Sequence, residues 1–95
     1  MRIPRKVKVG AIPYKVQFKR EVRDGSRRLA ALADHMRQVI EIDNRYPQDQ
    51  QEDSFLHEIL HCLSDVFHAD LTETQICILT PALHAFLKDN KLLKE

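Results

Sequence analysis

The sequence predicts a single α+β domain in which a small antiparallel β-sheet, made of two hairpins, packs on two helices. Between residues 6 and 43, apolar and polar side chains alternate with a period of two, which is typical of β-strands. From residue 55 onward, apolar side chains recur every three or four positions, which indicates amphipathic helices. A chain of 95 residues can bury one hydrophobic core but not two. We therefore expect residues 1–95 to form one domain, with its functional site built into the core elements.

The first hairpin is predicted close to the N-terminus. Val7 and Val9 alternate with lysines, and after a break that contains Gly10 and Pro13 the alternation resumes through residues 14–19. The polar positions of this segment are mostly lysines, so the solvent face of the hairpin is expected to be basic.

The second hairpin is predicted around residues 37–43, where Val39, Ile40 and Ile42 are β-branched and favour a strand. Asp34 and the following histidine can form the turn before it. Residues 29–33, with the sequence LAALA, fit either a helix or a strand. Local sequence does not decide between the two.

Two helices are predicted in the second half of the chain. The apolar repeat of residues 55–67 predicts a largely buried helix, for which Asp49 or Asp53 could serve as the N-terminal cap. Thr72, followed three residues later by Gln75, fits a capping box that opens a second helix.

Charge is distributed unevenly along the chain. Residues 1–28 hold ten Lys and Arg against two acids, whereas residues 41–73 hold nine acids against one Arg. Attraction between solvated faces of the fold is the commoner reason for such asymmetry. Contact with nucleic acid is the less expected reading, because no aromatic interleaving accompanies the basic residues.

The composition argues against a membrane protein. The longest apolar run is the five residues 29–33, far below the ~20 that a membrane-spanning helix needs, and no signal-peptide pattern follows the basic N-terminus. We therefore expect a cytoplasmic protein with no membrane partner. Cys62 and Cys77 fall within apolar helical patterns, where reduced, buried thiols are expected.

The motif His57-Glu58-x-x-His61 lies within the first predicted helix. Residues four apart project from the same helical face, so the two imidazoles can bind one Zn²⁺. Glu58 can stand beside the metal without serving as a ligand and act as general base toward an activated water. In an otherwise apolar helix, two histidines and a glutamate would be costly unless they share a partner such as a metal.

A catalytic zinc site needs a third protein ligand and one open position. Glu73 is the leading candidate, because it follows His61 by twelve residues and a sharp turn before the second helix could fold it back. His68, Cys77 and His84 remain alternatives.

Supporting residues are less well defined by the sequence. Asp65 lies four residues after His61 and could accept its second ring N–H, as carboxylates near metal sites often do. For polarising a substrate carbonyl, the candidates are His35, Tyr46 and His84. Nothing in the sequence chooses among these three.

The chain resembles the short HExxH proteins encoded by phages and prophages, a minimal gluzincin-like group of zinc metallopeptidases. The residues that carry the resemblance are the hairpin VKVGAIPYKVQF, the strand VIEID, the motif FLHEILHCLSD and the segment ADLTETQICILTPALHAFLKDN. The resemblance implies a zincin-like fold, a twisted antiparallel sheet on the motif helix, and an edge strand bordering the cleft to which an extended peptide could add. It also implies zinc ligands at His57 and His61, a catalytic Glu58, and an acidic third ligand that matches Glu73.

Two functions follow as expectations. The first is a zinc-dependent metallopeptidase acting on a peptide or protein in the cytoplasm of a bacterial host cell. The alternative is a non-catalytic, zinc-stabilised interaction module of a phage, touching nucleic acid through its basic N-terminal hairpin. The sequence indicates neither the specificity nor the oligomeric state.

Overall fold

The computed structural model describes residues 1–93, so the last two residues of the predicted domain lie outside the description. The α+β class predicted from the sequence is confirmed. The elements follow in the order β1 (Lys6–Val9), β2 (Ile12–Lys19), β3 (Val22–Asp24), β4 (Arg27–Leu29), β5 (Ala31–Asp34), β6 (Val39–Asp43), α1 (Gln48–Phe67) and α2 (Glu73–Asp89).

The main sheet is mixed, with the strand order β1-β2-β6-β5. Both predicted hairpins are present, β1 with β2 and β5 with β6, and each is antiparallel. The central strands β2 and β6, however, run parallel, with Val16 level with Ile40. The prediction of a wholly antiparallel sheet is therefore wrong. Alternation of side chains indicates a strand and its buried face. It does not indicate which distant strand pairs with the other edge of a hairpin.

The ambiguous segment 29–33 is extended. Leu29 ends β4, and Ala31 begins β5 opposite Ile42. A separate two-stranded sheet, β3 with β4, forms around a turn that contains Gly25. Pairing with β6 overrides the helical preference of Ala and Leu here, as tertiary context commonly does.

The hydrophobic core lies between the main sheet and α1. It includes Tyr14 and Val16 of β2, Ile40 and Ile42 of β6, and, from α1, the buried side chains of Phe55, Leu56 and Cys62. Because α1 packs along this face, it is held at a fixed position relative to β5, the edge strand beside it.

The turn between β1 and β2 contacts the C-terminal end of α1. Gly10 and Ala11 both have positive φ, 54° and 70°, which suits the twist of a two-residue hairpin loop. A Cβ atom at Gly10 would lie 2.7 Å from Val66 Cγ1 and 2.9 Å from Phe67 Cζ. Glycine is needed here for close approach as well as for backbone conformation.

Helix α1 begins at Gln48, with Pro47 in the N-cap position and no side-chain cap. The prediction of Asp49 or Asp53 as the cap is wrong, because the helix starts before both residues. Asp49 instead lies in the first turn of the helix, where its negative charge interacts favourably with the helix dipole.

The capping box predicted for α2 is confirmed. The Gln75 N–H donates to Thr72 Oγ1 at 3.1 Å, and the Thr72 N–H donates to Gln75 Oε1 at 2.9 Å. Both cysteines are free. The prediction of a buried thiol is confirmed for Cys62 but is wrong for Cys77, which is exposed. Cys77 is exposed because α2 buries only Ile76 and Thr80. No helix in the described part of the chain combines the length and apolar character that crossing a bilayer requires.

Candidate metal centre

The two histidines of the motif lie one helical turn apart on α1, and both face a carboxylate from α2. Their ring centroids are 5.0 Å apart. His57 Nε2 lies 2.9 Å from Glu73 Oε1, and His61 Nε2 lies 2.8 Å from Glu73 Oε2. The three side chains thus direct four potential donor atoms toward one region at the junction of the helices.

A tight reversal between the helices carries Glu73 back to this position. His68 and Asp70 adopt left-handed backbone conformations, with φ of 54° and 53°. The Leu71 N–H donates to Ser64 Oγ at 2.9 Å, which fastens the link to α1. The capping box then starts α2 so that Glu73 is its first residue. The local sequence of the reversal therefore determines where the carboxylate lies.

The donor set fits a zinc ion. Two imidazoles and one carboxylate are the ligands of a common class of catalytic zinc sites, and one ligand atom from each lies within 4.8 Å of the other two. Tetrahedral coordination at 2.0–2.1 Å separates ligand atoms by about 3.4 Å, so the present distances between the imidazole nitrogens and the Glu73 oxygens need to widen only slightly. The structure brings together the three residues that the sequence suggested, and their role as ligands stays a prediction.

Glu58 lies on the side of α1 that faces the edge strand β5, and its side chain is half-buried there. Burial raises the pKa of its carboxyl group, and the charges of His57 and His61 and a hydrogen bond with the backbone of Ala33 only partly offset this effect. Glu58 is not among the three side chains that converge as potential ligands. A carboxylate beside the centre, with a pKa moved toward neutrality, is suited to accept and return a proton.

A cleft of about 520 Å³ opens next to these residues. One wall of the cleft is the β4–β5 segment, and the other is α1 with the start of α2. The residues that line the cleft include His57, Glu58, His61, Glu73, Asp53, Ser54 and residues 29–32. β5 is a terminal strand in the order of the main sheet. The cleft is therefore bordered by an edge strand, as the resemblance implies.

The alternative third ligands lie elsewhere. His84 Nε2 meets Glu52 Oε1 at 3.0 Å, near the other end of α1. Cys77 Sγ lies 3.5 Å from Glu73 Oε1 but does not join the three-residue group. His68 lines a smaller cleft of about 300 Å³ on the far side of His61. Of the four candidates, only Glu73 meets both imidazoles of the motif.

Among the three candidates for polarising a carbonyl, only His35 lies near the centre. It lines the smaller cleft together with His61, and its Nδ1 is 3.1 Å from the hydroxyl of Tyr14. Tyr46 lies in a separate depression beside Arg45. Asp65 lines the smaller cleft too, but it is exposed, and no hydrogen bond to His61 is present among residues 1–93. The suggested fixing of the ring by Asp65 is therefore absent from this conformation.

Sequence reasoning missed a second cluster, formed by Asp49, Glu52 and His84. Glu52 is only 3% exposed and accepts hydrogen bonds from the Met1 ammonium and from Gln48. Lys88 Nζ lies 2.9 Å from Asp49 Oδ1. Protein cations already neutralise these carboxylates, so the cluster is an ion-pair network between α1, α2 and the N-terminus, buried at Glu52 and exposed at Asp49. No periodicity or motif in the sequence pairs His84 with Glu52.

The basic residues of the N-terminal part are all on the surface. Each of the ten Lys and Arg of residues 1–28 is exposed. Lys19 forms an ion pair with Glu41 across the parallel strands, which supports the expected attraction between the basic and acidic segments. Arg5 stacks over Phe18 at 5.2 Å from the ring centroid.

Comparison of the chain with protein-family models, with curated proteins and with solved structures finds no significant match. The geometry of the site therefore carries the functional argument.

Proposed function

We propose that this protein is a zinc-dependent metallopeptidase that hydrolyses peptide bonds in an extended substrate. One observation carries the proposal: His57, His61 and Glu73 converge beside a half-buried Glu58, at the rim of a cleft bordered by an edge strand. Site geometry, rather than the fold, is the proper basis for such an assignment.

The three converging side chains would hold the metal and leave one coordination position open. A zinc ion held there supplies a Lewis acid that polarises the scissile carbonyl and lowers the pKa of water. Glu58 accepts a proton as the water oxygen bonds to the carbonyl carbon. It then delivers that proton to the amide nitrogen as the C–N bond breaks, so the products are a carboxylic acid and an amine.

The edge strand supplies a way to hold the substrate. β5 pairs with β6 on one side only, and an extended peptide can add to the other side through main-chain hydrogen bonds. His35 follows the end of β5 and borders the smaller cleft with His61. We assign it as the group that donates a hydrogen bond to the developing oxyanion, with the Tyr14 hydroxyl in contact with its Nδ1.

A Glu58→Gln variant tests the proposal. The amide cannot accept the proton, so cleavage of a mixed peptide library, followed by mass spectrometry, should fall at least about 10²-fold, while elemental analysis should still find one zinc per chain. Glu21→Gln is the matched control, because Glu21 is exposed and pairs with Arg23 away from the cleft. Equal turnover in the Glu58 and Glu21 variants would exclude this mechanism.

Zinc content and turnover in the wild-type protein separate the two expected functions. Bound zinc without cleavage of any library peptide would favour the non-catalytic interaction module. Absence of zinc after titration and dialysis would exclude both.

A further inference from the structure

Helix α2 has an unusual composition for a helix on the surface. Residues 74–87 contain no Asp, Glu, Lys or Arg, in a chain of which 31% of residues are charged. Yet only Ile76 and Thr80 of this helix are buried. A helix that is apolar on nearly all sides is normally covered by protein. The exposed side of α2 thus has the character of an interface.

The apolar residues form a regular seam. Leu79, Ala82 and Phe86 follow one another at spacings of three and four, the pattern with which one helix packs along another. Leu83 lies beside this line. Leu79 is 46% exposed, Leu83 37% and Phe86 57%. Side chains of this size are rarely left so open on consecutive turns without a partner.

The apolar surface of α2 extends beyond this seam, since Ile78 is 65% exposed. With about 200 Å² for each large side chain, the exposed residues Ile78, Leu79, Leu83 and Phe86 present on the order of 400 Å² per chain. Two such surfaces bury about 800 Å² together, which lies at the lower end of interface sizes and predicts a weak, reversible dimer.

We propose that this face of α2 binds a second copy of the same chain, in a symmetric dimer with the two α2 helices antiparallel. The seam has no charge that would select an oppositely charged partner, whereas an apolar face can pack on itself. Ala82 lies at its midpoint, where a small side chain lets two backbones approach across the two-fold axis. Leu79 then meets Phe86 of the other copy, and the reverse contact follows by symmetry.

The helix dipoles agree with this arrangement. In an antiparallel pair the two dipoles oppose each other, which is favourable, whereas a parallel pair would bring like partial charges together at both ends. Association does not require the metal centre, since Leu79, Ala82 and Phe86 are not among the residues that line its cleft.

Sedimentation equilibrium of the full chain, between about 1 µM and 0.1 mM, tests the proposal. The wild type should approach twice the monomer mass of 11.1 kDa. Leu79→Lys should raise the dissociation constant of the dimer at least about tenfold, because dimerisation would then bury the lysine charge at the seam. Met36→Lys is the matched control, since Met36 is 96% exposed on the β5–β6 turn, and it should leave the mass unchanged. A wild-type monomer throughout, or equal effects of both substitutions, would overturn the proposal.

Cross-linking tests the geometry independently of any loss of folding. In a Cys77→Ser background, Ala82→Cys should oxidise rapidly to a covalent dimer, because the two thiols meet at the axis. Lys8→Cys, at an exposed position on β1, should oxidise no faster than free thiols do at the same concentration. Equal rates for the two variants would refute the antiparallel arrangement, and far-UV circular dichroism of each variant verifies that it is folded. Capture of a different protein with no self-association would replace the second copy as the occupant.

Discussion

Tyr14 and His35 meet edge to face, with their ring planes at 84° and the Tyr14 hydroxyl 3.1 Å from His35 Nδ1. Tyr14 is almost completely buried in the core, and burial raises its pKa to about 12. A neutral, fixed phenol therefore holds one nitrogen of a histidine that lines the smaller cleft together with His61. We infer that Tyr14 positions His35.

A double-mutant cycle tests this positioning. His35→Ala should lower kcat by about 10²–10³-fold with little change in KM, as loss of an oxyanion donor does. Tyr14→Phe should lower kcat on the order of tenfold and cost about 1 kcal/mol of stability. In the His35→Ala background, Tyr14→Phe should have no further effect on kcat. Additive losses of kcat would show that Tyr14 acts on the fold alone.

Zinc binding should raise the free energy of unfolding, and this stabilisation should depend on His61. Zinc at about 100 times its dissociation constant stabilises the folded state by about 2.7 kcal/mol, which is roughly 10–20 °C in Tm for a domain of this size. His61→Ala should abolish the shift, and a chelator should remove it from the wild type. His84→Ala should retain it, because His84 belongs to the Glu52 network. Calorimetry with and without zinc measures all three; a shift retained in His61→Ala would contradict the assignment.

Two glycine substitutions separate backbone strain from steric clash. Gly10 and Gly25 both have positive φ, but only the Cβ at Gly10 would meet neighbouring atoms, those of Val66 and Phe67. Gly25→Ala should cost about 1 kcal/mol, the penalty for the left-handed conformation. Gly10→Ala should cost about 2–4 kcal/mol, because overpacking is added. Urea unfolding gives both values, and equal values would mean that the turn moves away from α1.

Acid should destabilise the protein through Asp43. Hydrogen bonds from the Arg45 side chain favour the ionised form and lower the pKa of this buried carboxyl group from 3.8 to about 2. Stability from this pair is therefore complete above pH 3.8 and is lost as the pH falls through about 2. Asp43→Asn should flatten the dependence of the free energy of unfolding on pH in this window, as should Arg45→Gln. A slope unchanged in both variants would refute this origin.

The two thiols should differ in reactivity. Cys62 is fully buried, and burial raises its pKa to about 11, whereas Cys77 is exposed. An alkylating reagent should modify one thiol per native chain and two per chain in denaturant. Mass spectrometry of the digested product should locate the native modification at Cys77. Rapid labelling of Cys62 in the native protein would show that the sheet and α1 separate readily.

Much of the site could be predicted because its residues are close in sequence. The spacing of His57 and His61 places both on one face of a helix, whatever the remainder of the chain does. The position of Glu73 could be predicted because the capping box at Thr72 fixes the start of α2. The contacts of His84 could not be predicted, since they depend on how α2 crosses α1.

The sheet was less predictable for a similar reason. Each hairpin is local, and alternation together with turn residues identified both. The parallel pairing of β2 with β6 joins segments about 24 residues apart, such as Val16 with Ile40, and no local pattern records such a choice. Ala31 likewise becomes part of a strand only because Ile42 lies opposite.

The parallel pairing also bears on how the chain folds as it is synthesised. The β1–β2 hairpin emerges from the ribosome before β6 and α1 do, and an isolated hairpin is marginally stable in water. The free edge of β2 pairs only when β6 has been synthesised, and the apolar face of the hairpin is covered only when α1 has been synthesised. The nascent N-terminal half therefore exposes an unpaired strand edge until translation is well advanced, and for that interval it is vulnerable to aggregation and to binding by chaperones.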